Sequence, residues 1–60
     1  MMVKEGTRWV SVDDKKFHII HRVELDGHVW IHYIEENKEN CREYSCYEES
    51  FLLRFRQLPE

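Results

Sequence analysis

The sequence predicts a mainly β fold, a small antiparallel barrel of four to five strands with a short C-terminal helix. Three observations predict it. Short runs rich in β-branched and aromatic residues alternate with polar turn clusters. Asp26-Gly27, a dipeptide suited to the positive backbone angles of a tight hairpin, divides two of those runs. Beyond Ser45 the apolar spacing changes from alternation to a helical period.

The first predicted strand covers residues 7–12 and ends at the cluster Asp13-Asp14-Lys15-Lys16. The second, residues 17–25, places Phe17, Ile19, His21 and Val23 on one face and His18, Ile20, Arg22 and Glu24 on the other. The first set is the more apolar and is read as the core face. In the third, residues 28–34, Val29, Ile31 and Tyr33 oppose Trp30, His32 and Ile34. Both sets are bulky, and Val29, Ile31 and Tyr33 are assigned inward. Apolar groups on both faces of so small a sheet mean either a coiled barrel covered by a terminal segment or an exposed patch that binds something. After a polar loop at residues 35–40, a fourth strand is read over residues 41–45. Ser45-Cys46-Tyr47-Glu48 has the spacing of a capping box, in which a Ser side chain and a Glu three residues on satisfy each other's backbone donors. A helix over residues 47–56 follows, with Tyr47, Phe51, Leu52 and Phe55 as its apolar stripe, and it ends before Pro59. The expected core is Phe17, Ile19, Val29, Ile31, Phe51 and Phe55.

Composition supports a folded chain, because 42% hydrophobic and 13% aromatic residues supply large buried areas. Sixty residues make one domain, spanning 1–60 with its folded core at 6–56. A domain this small buries only about 60% of the surface its unfolded chain exposes. Basic and acidic side chains balance over residues 1–34, so the net charge of −3 arises in residues 35–60. That distribution gives no basic footprint for a nucleic-acid duplex. No apolar run is long enough to cross a membrane, and the N-terminal residues lack the apolar stretch of a signal peptide. A cytoplasmic location without a membrane partner is therefore expected. The two cysteines are read as free thiols in a reducing compartment.

Gly6-Thr7-Arg8-Trp9, two strands joined by a glycine hairpin, and Glu43-Tyr44-Ser45-Cys46 leading into Phe51-Leu52-Leu53-Arg54-Phe55 form a recognisable order. It resembles a family of short prophage-encoded proteins of enteric bacteria, catalogued as a domain of unknown function. The resemblance spans most of residues 6–55. It implies an SH3-like small barrel and a phage-derived accessory protein, and it carries over no catalytic residue. The loop at residues 35–40 and the presence of both Cys41 and Cys46 depart from the family's pattern.

Histidines at 18, 21, 28 and 32 with cysteines at 41 and 46 raise the question of zinc. On a regular strand His18 and His21 face opposite ways, and His28 and His32 lie about 13 Å apart at 3.3 Å per residue, too far to share an ion. Cross-strand pairing over the Asp26-Gly27 hairpin would still bring two imidazoles together. Cys41 and Cys46 also fall on opposite faces of an extended segment. Neither a metal nor a cofactor is expected.

Catalysis would require a cysteine beside an oriented histidine in a cleft. Cys46 is better read as a small buried hydrophobe, and no enzyme activity is expected. The two glycines stand too far apart to build a phosphate-cradling loop.

Arg8-Trp9 and the run from His28 to Tyr33 interleave aromatic and basic groups, as single-strand nucleic-acid binders do. Most aromatics of a small domain are nevertheless needed in its core. Glu35, Glu36, Glu39, Glu43, Glu48 and Glu49 could imitate a phosphate path and inhibit a host DNA-binding protein, although Lys38 and Arg42 interrupt the series. The leading expectation is a non-catalytic protein-interaction module that binds a host or phage protein, or a second copy of itself, through Trp30, His28, His32, Trp9 and Arg8. Single-stranded nucleic acid is the alternative partner. The readings separate on whether Trp9, Trp30 and Tyr33 lie exposed beside Arg8, Lys15, Lys16 and Arg22, or beside Glu35 and Glu36.

Overall fold

The computed structural model describes residues 2–36 and 42–59 of the chain. Strands β1 (Arg8–Ser11), β2 (Lys16–Leu25), β3 (His28–Glu35) and β4 (Glu43–Tyr47) are followed by helix α1 (Glu48–Arg54) and strand β5 (Phe55–Gln57). All neighbours pair antiparallel in one sheet of order β4-β3-β2-β1-β5. The result is a small barrel-like β fold, with α1 packed against β3, β4 and β5.

Turn chemistry sets the strand boundaries. Asp26 (φ 52°) and Gly27 (φ 76°) both take positive angles, the requirement of a two-residue hairpin whose twist matches its strands. Between β1 and β2, Asp14 takes φ 66°, its N–H donates to the Ser11 carbonyl at 3.0 Å, and the Ser11 N–H donates to the Lys15 carbonyl at 2.9 Å. Aspartate tolerates this left-handed conformation better than most residues.

The core lies inside the curved sheet and is largely aromatic. Val3, Trp9, Phe17, Ile19, Ile31, Tyr33 and Phe51 form it, with Val29, Cys46, Leu52 and Phe55 packed against it half-buried. Phe51 and Phe55 stack at 4.2 Å between centroids, while Trp9 meets Phe51 edge-on at 5.2 Å and Phe17 meets Phe55 edge-on at 5.2 Å. Such offset and edge-to-face pairs add to what area burial alone contributes. Of the six residues expected in the core, Phe17, Ile19, Ile31 and Phe51 are buried, while Val29 and Phe55 are half-buried against it.

Four local expectations are corrected. The alternation of β2 does not run through: Ile19 pairs with Tyr33 but His21 pairs with His32, so one extra residue, Ile20, interrupts the ladder. Beyond this β-bulge the faces exchange, and Arg22 turns inward while His21 and Val23 turn outward. The helix is shorter than residues 47–56 and not terminal, because Phe55–Gln57 leaves it to pair with β1 as a fifth strand. No capping box forms: Ser45 lies in β4, Tyr47 is the N-cap without a side-chain bond, and the Glu48 carboxylate instead accepts the Val3 N–H at 2.8 Å and pairs with Arg22. Finally, Trp9 is only 1% exposed, and its indole N–H donates to Thr7 Oγ1 at 2.9 Å, so it belongs to the core and not to a binding surface. Cys41 and most of the expected loop at 35–40 lie outside the described residues.

Candidate interaction face

The outer face of β2, β3 and β4 carries the side chains that point away from the core. Register places them in rows: Leu25 beside His28; Val23, Trp30 and Tyr47; His21, His32 and Ser45; His18, Ile34 and Glu43. Alternation turns Trp30, His32 and Ile34 outward because their neighbours Ile31 and Tyr33 are buried. The bulge does the same for β2, so His18 and His21, three residues apart, share one face. All four histidines of the chain therefore lie on it.

An aromatic cluster occupies the hairpin half of this face. Tyr47 meets Trp30 at 4.5 Å between centroids with the planes at 60°, and His28 stacks on Tyr47 at 4.7 Å and 14°. Around the half-buried Trp30, Tyr47 is 40% exposed, Val23 41% and Leu25 58%. These are large apolar groups left in contact with water on one contiguous surface.

The other half is polar and internally paired. His32 Nδ1 lies 3.0 Å from Glu43 Oε2, His21 Nδ1 lies 3.8 Å from Glu5 Oε2, and the two imidazole rings are 6.3 Å apart. Arg8, which pairs with His18 in the ladder, grips Glu36 with two hydrogen bonds of 2.7 and 2.9 Å. The hydrogen bond from Arg8 holds the Glu36 carboxyl below the usual range, against a smaller opposing effect of burial, and the same pairing raises the Arg8 guanidinium. Among the described residues no group of three His, Cys, Asp or Glu side chains is placed to hold a metal ion. Cys46 is a half-buried free thiol packed against the core.

Trp30, His28 and His32 thus share the face the sequence assigned to them, and Arg8 borders it with its charge engaged. Trp9 and Tyr33 are buried. Arg22 is turned inward to Glu48 and the Val3 carbonyl, and Lys15 lies 3.6 Å from Asp13. The basic groups that a stacked single strand would need are therefore largely occupied by carboxylates. Sequence reasoning missed Tyr47, Val23 and Leu25 as members of the face. Tyr47 also fits the helical stripe, and an unbroken alternation would point Val23 inward; Leu25 followed by His28 across the hairpin is the available signal.

The fold and this face define a small barrel-like β domain with one exposed aromatic and imidazole surface. No known protein family, curated protein or solved structure matches the chain. Among the described residues no helix is long and apolar enough to cross a membrane.

Proposed function

We propose that this chain is a non-catalytic protein-interaction module of phage origin, acting in the cytoplasm, that docks a host or phage protein through the face centred on Trp30 and Tyr47. The observation that carries the reading is the apolar cluster of Val23, Leu25, Trp30 and Tyr47 exposed on one sheet surface. Indole and phenol rings bury large area at low entropic cost and dominate binding energies where they sit at the centre of a contact. His28, His32 and Glu43 would form its polar rim. The carboxylate partners of Arg8, Arg22 and Lys15 favour a protein over a nucleic acid.

The test compares the natural chain with Trp30→Ala and with Leu25→Ser as bait in host lysate, with the melting temperature of each measured alongside. Both variants should fold, and each should lose the captured protein by at least tenfold. Retention of the same protein by both variants would exclude this face.

A further inference from the structure

At the opposite edge of the sheet from Trp30, where β1 ends and β5 begins, Val10, Ser11, Val12, Asp14, Leu53, Arg54, Phe55 and Arg56 enclose an open concavity of about 400 Å³. Two of its walls are unusual for so small a domain: Val12 is 97% exposed and Leu53 87% exposed. Neither aliphatic group contributes to the core, and they flank a floor that includes the buried Val10. Arg54 and Arg56 stand at the same place. Neither makes an ion pair among the described residues, in contrast to Arg8 and Arg22. Arg54 lies over the Phe55 ring at 5.5 Å, donates to the Ser50 carbonyl at 3.3 Å and hydrogen-bonds the Tyr33 hydroxyl, all neutral partners that do not cancel its charge. In the ladder Val10 sits between Lys16 and Arg56, which adds a further cation beside the floor. Asp14 is the one carboxylate in the lining. A chain of net charge −3 thus concentrates unpaired positive charge around an apolar hollow.

From this juxtaposition we infer a second docking surface, independent of the Trp30 face, that takes an extended acidic segment of a partner protein with apolar side chains interspersed among its carboxylates. The apolar side chains would seat between Val12 and Leu53 over Val10, and the carboxylates would meet Arg54 and Arg56. Guanidinium groups favour this role because their planar donor forks match carboxylates with two hydrogen bonds. The positive field also raises the encounter rate of an acidic segment and rejects a basic one. Because the two surfaces occupy opposite ends of one sheet, both can be filled at once.

The test uses a fluorescein-labelled octapeptide of alternating leucine and glutamate, with the leucine and lysine counterpart as control, and reads anisotropy together with backbone amide peak positions. The glutamate peptide should bind and weaken as salt rises, and it should shift the amides of Val12, Asp14 and residues 53–56. The lysine peptide should not bind. Arg56→Glu and Leu53→Asp should each weaken binding at least tenfold, while Trp30→Ala should leave it unchanged. Val12→Asp provides a third substitution at a nearly fully exposed position if either of the others unfolds. Equal binding of the two peptides would overturn the proposal, as would insensitivity to the substitutions at 12, 53 and 56. Concentration-dependent shifts of the same amides without peptide would assign the surface to a second copy of the chain and equally overturn it. Loss of peptide binding in Trp30→Ala would move the acidic segment to the other face, whereas failure of lysate capture alone would leave this surface standing.

Discussion

Arg22 is the residue whose environment departs most from its appearance in the sequence. It reads as a solvent-facing strand residue, yet its guanidinium reaches the Val3 carbonyl at 3.2 Å and pairs with Glu48, with the two side chains only 19% and 17% exposed. Burial works to raise the Glu48 carboxyl. The hydrogen bonds from Arg22 and the Val3 N–H, with the attraction to Arg22, outweigh it and hold the group below the usual carboxylate range. A carboxyl depressed on folding contributes stability above its unfolded value, and that contribution is lost as pH falls through the folded one. Glu48→Gln should therefore cost about 2 kcal/mol at pH 7, between the values typical of exposed and buried pairs. It should also flatten the fall in stability below about pH 4 that the natural chain shows. Denaturant titrations at several pH values measure both. Equal losses at pH 7 and at pH 3 would mean that the glutamate contributes by shape and not by charge.

Elements were legible where one physical rule acted alone. Asp26-Gly27 fixed its hairpin because both residues must accept positive φ, and β3 sorted its faces correctly because its alternation is unbroken. The capping box failed because its tetrapeptide straddles the end of a strand: Ser45 is still paired with His32, so its hydroxyl stands beyond the first turn of α1. Ser45→Ala should accordingly change stability by less than about 0.5 kcal/mol, where a true N-cap serine would cost about 1 kcal/mol. Thermal melts distinguish these values. The strand β5 was hidden for a related reason. Phe55 satisfies the helical spacing from Phe51 and stacks on it, while its own backbone is already extended at φ −125° and ψ 153°. Side-chain period and backbone conformation part company at that residue. Trp9 was misread because an indole beside an arginine looks like a binding pair, whereas alternation in β1 sends Arg8 outward and Trp9 into the core.

At the scale of the whole molecule, curvature decides what is inside and what is free to bind. Five strands folded around an aromatic core leave the sheet with two ends, β4 and β5, and α1 lies between them across the opening. The Trp30 face and the Arg56 corner are consequences of that arrangement, since each lies near a strand that has a neighbour on one side only. The sequence pointed to Trp30, His28 and His32 as one face but not to the neighbours that complete it, and the Arg56 corner was not legible at all. Tyr47 comes to Trp30 through the β3–β4 ladder, and Arg56 comes to Val10 through β1–β5, contacts that depend on pairings between distant segments. The composition did foreshadow that aromatic area would exceed what a core of this size consumes.

The bulge at Ile20 gives β2 the equivalent of a frameshift: the strand is two alternating words joined by one surplus letter. Removing the surplus letter keeps the remaining letters in phase, and because Ile19 and Ile20 are identical neighbours, deleting either gives the same chain. A chain lacking Ile20 should retain the Ile19–Tyr33, His21–His32 and Arg22–Ile31 pairings, and it should fold with a lowered melting temperature because the local bend and part of an isoleucine are lost. A chain lacking Val23 should be destabilised far more, since closing that gap at the bulge turns His21 inward opposite Ile31 and Arg22 away from Glu48. Amide spectra and melting temperatures of the two deletions compare them directly, and a Val23 deletion as stable as the Ile20 deletion would refute the phase argument. Deletions along this strand are therefore filtered by parity, and the tolerated ones fall between Phe17 and His21, where the surplus letter can be given up without turning a core residue to water.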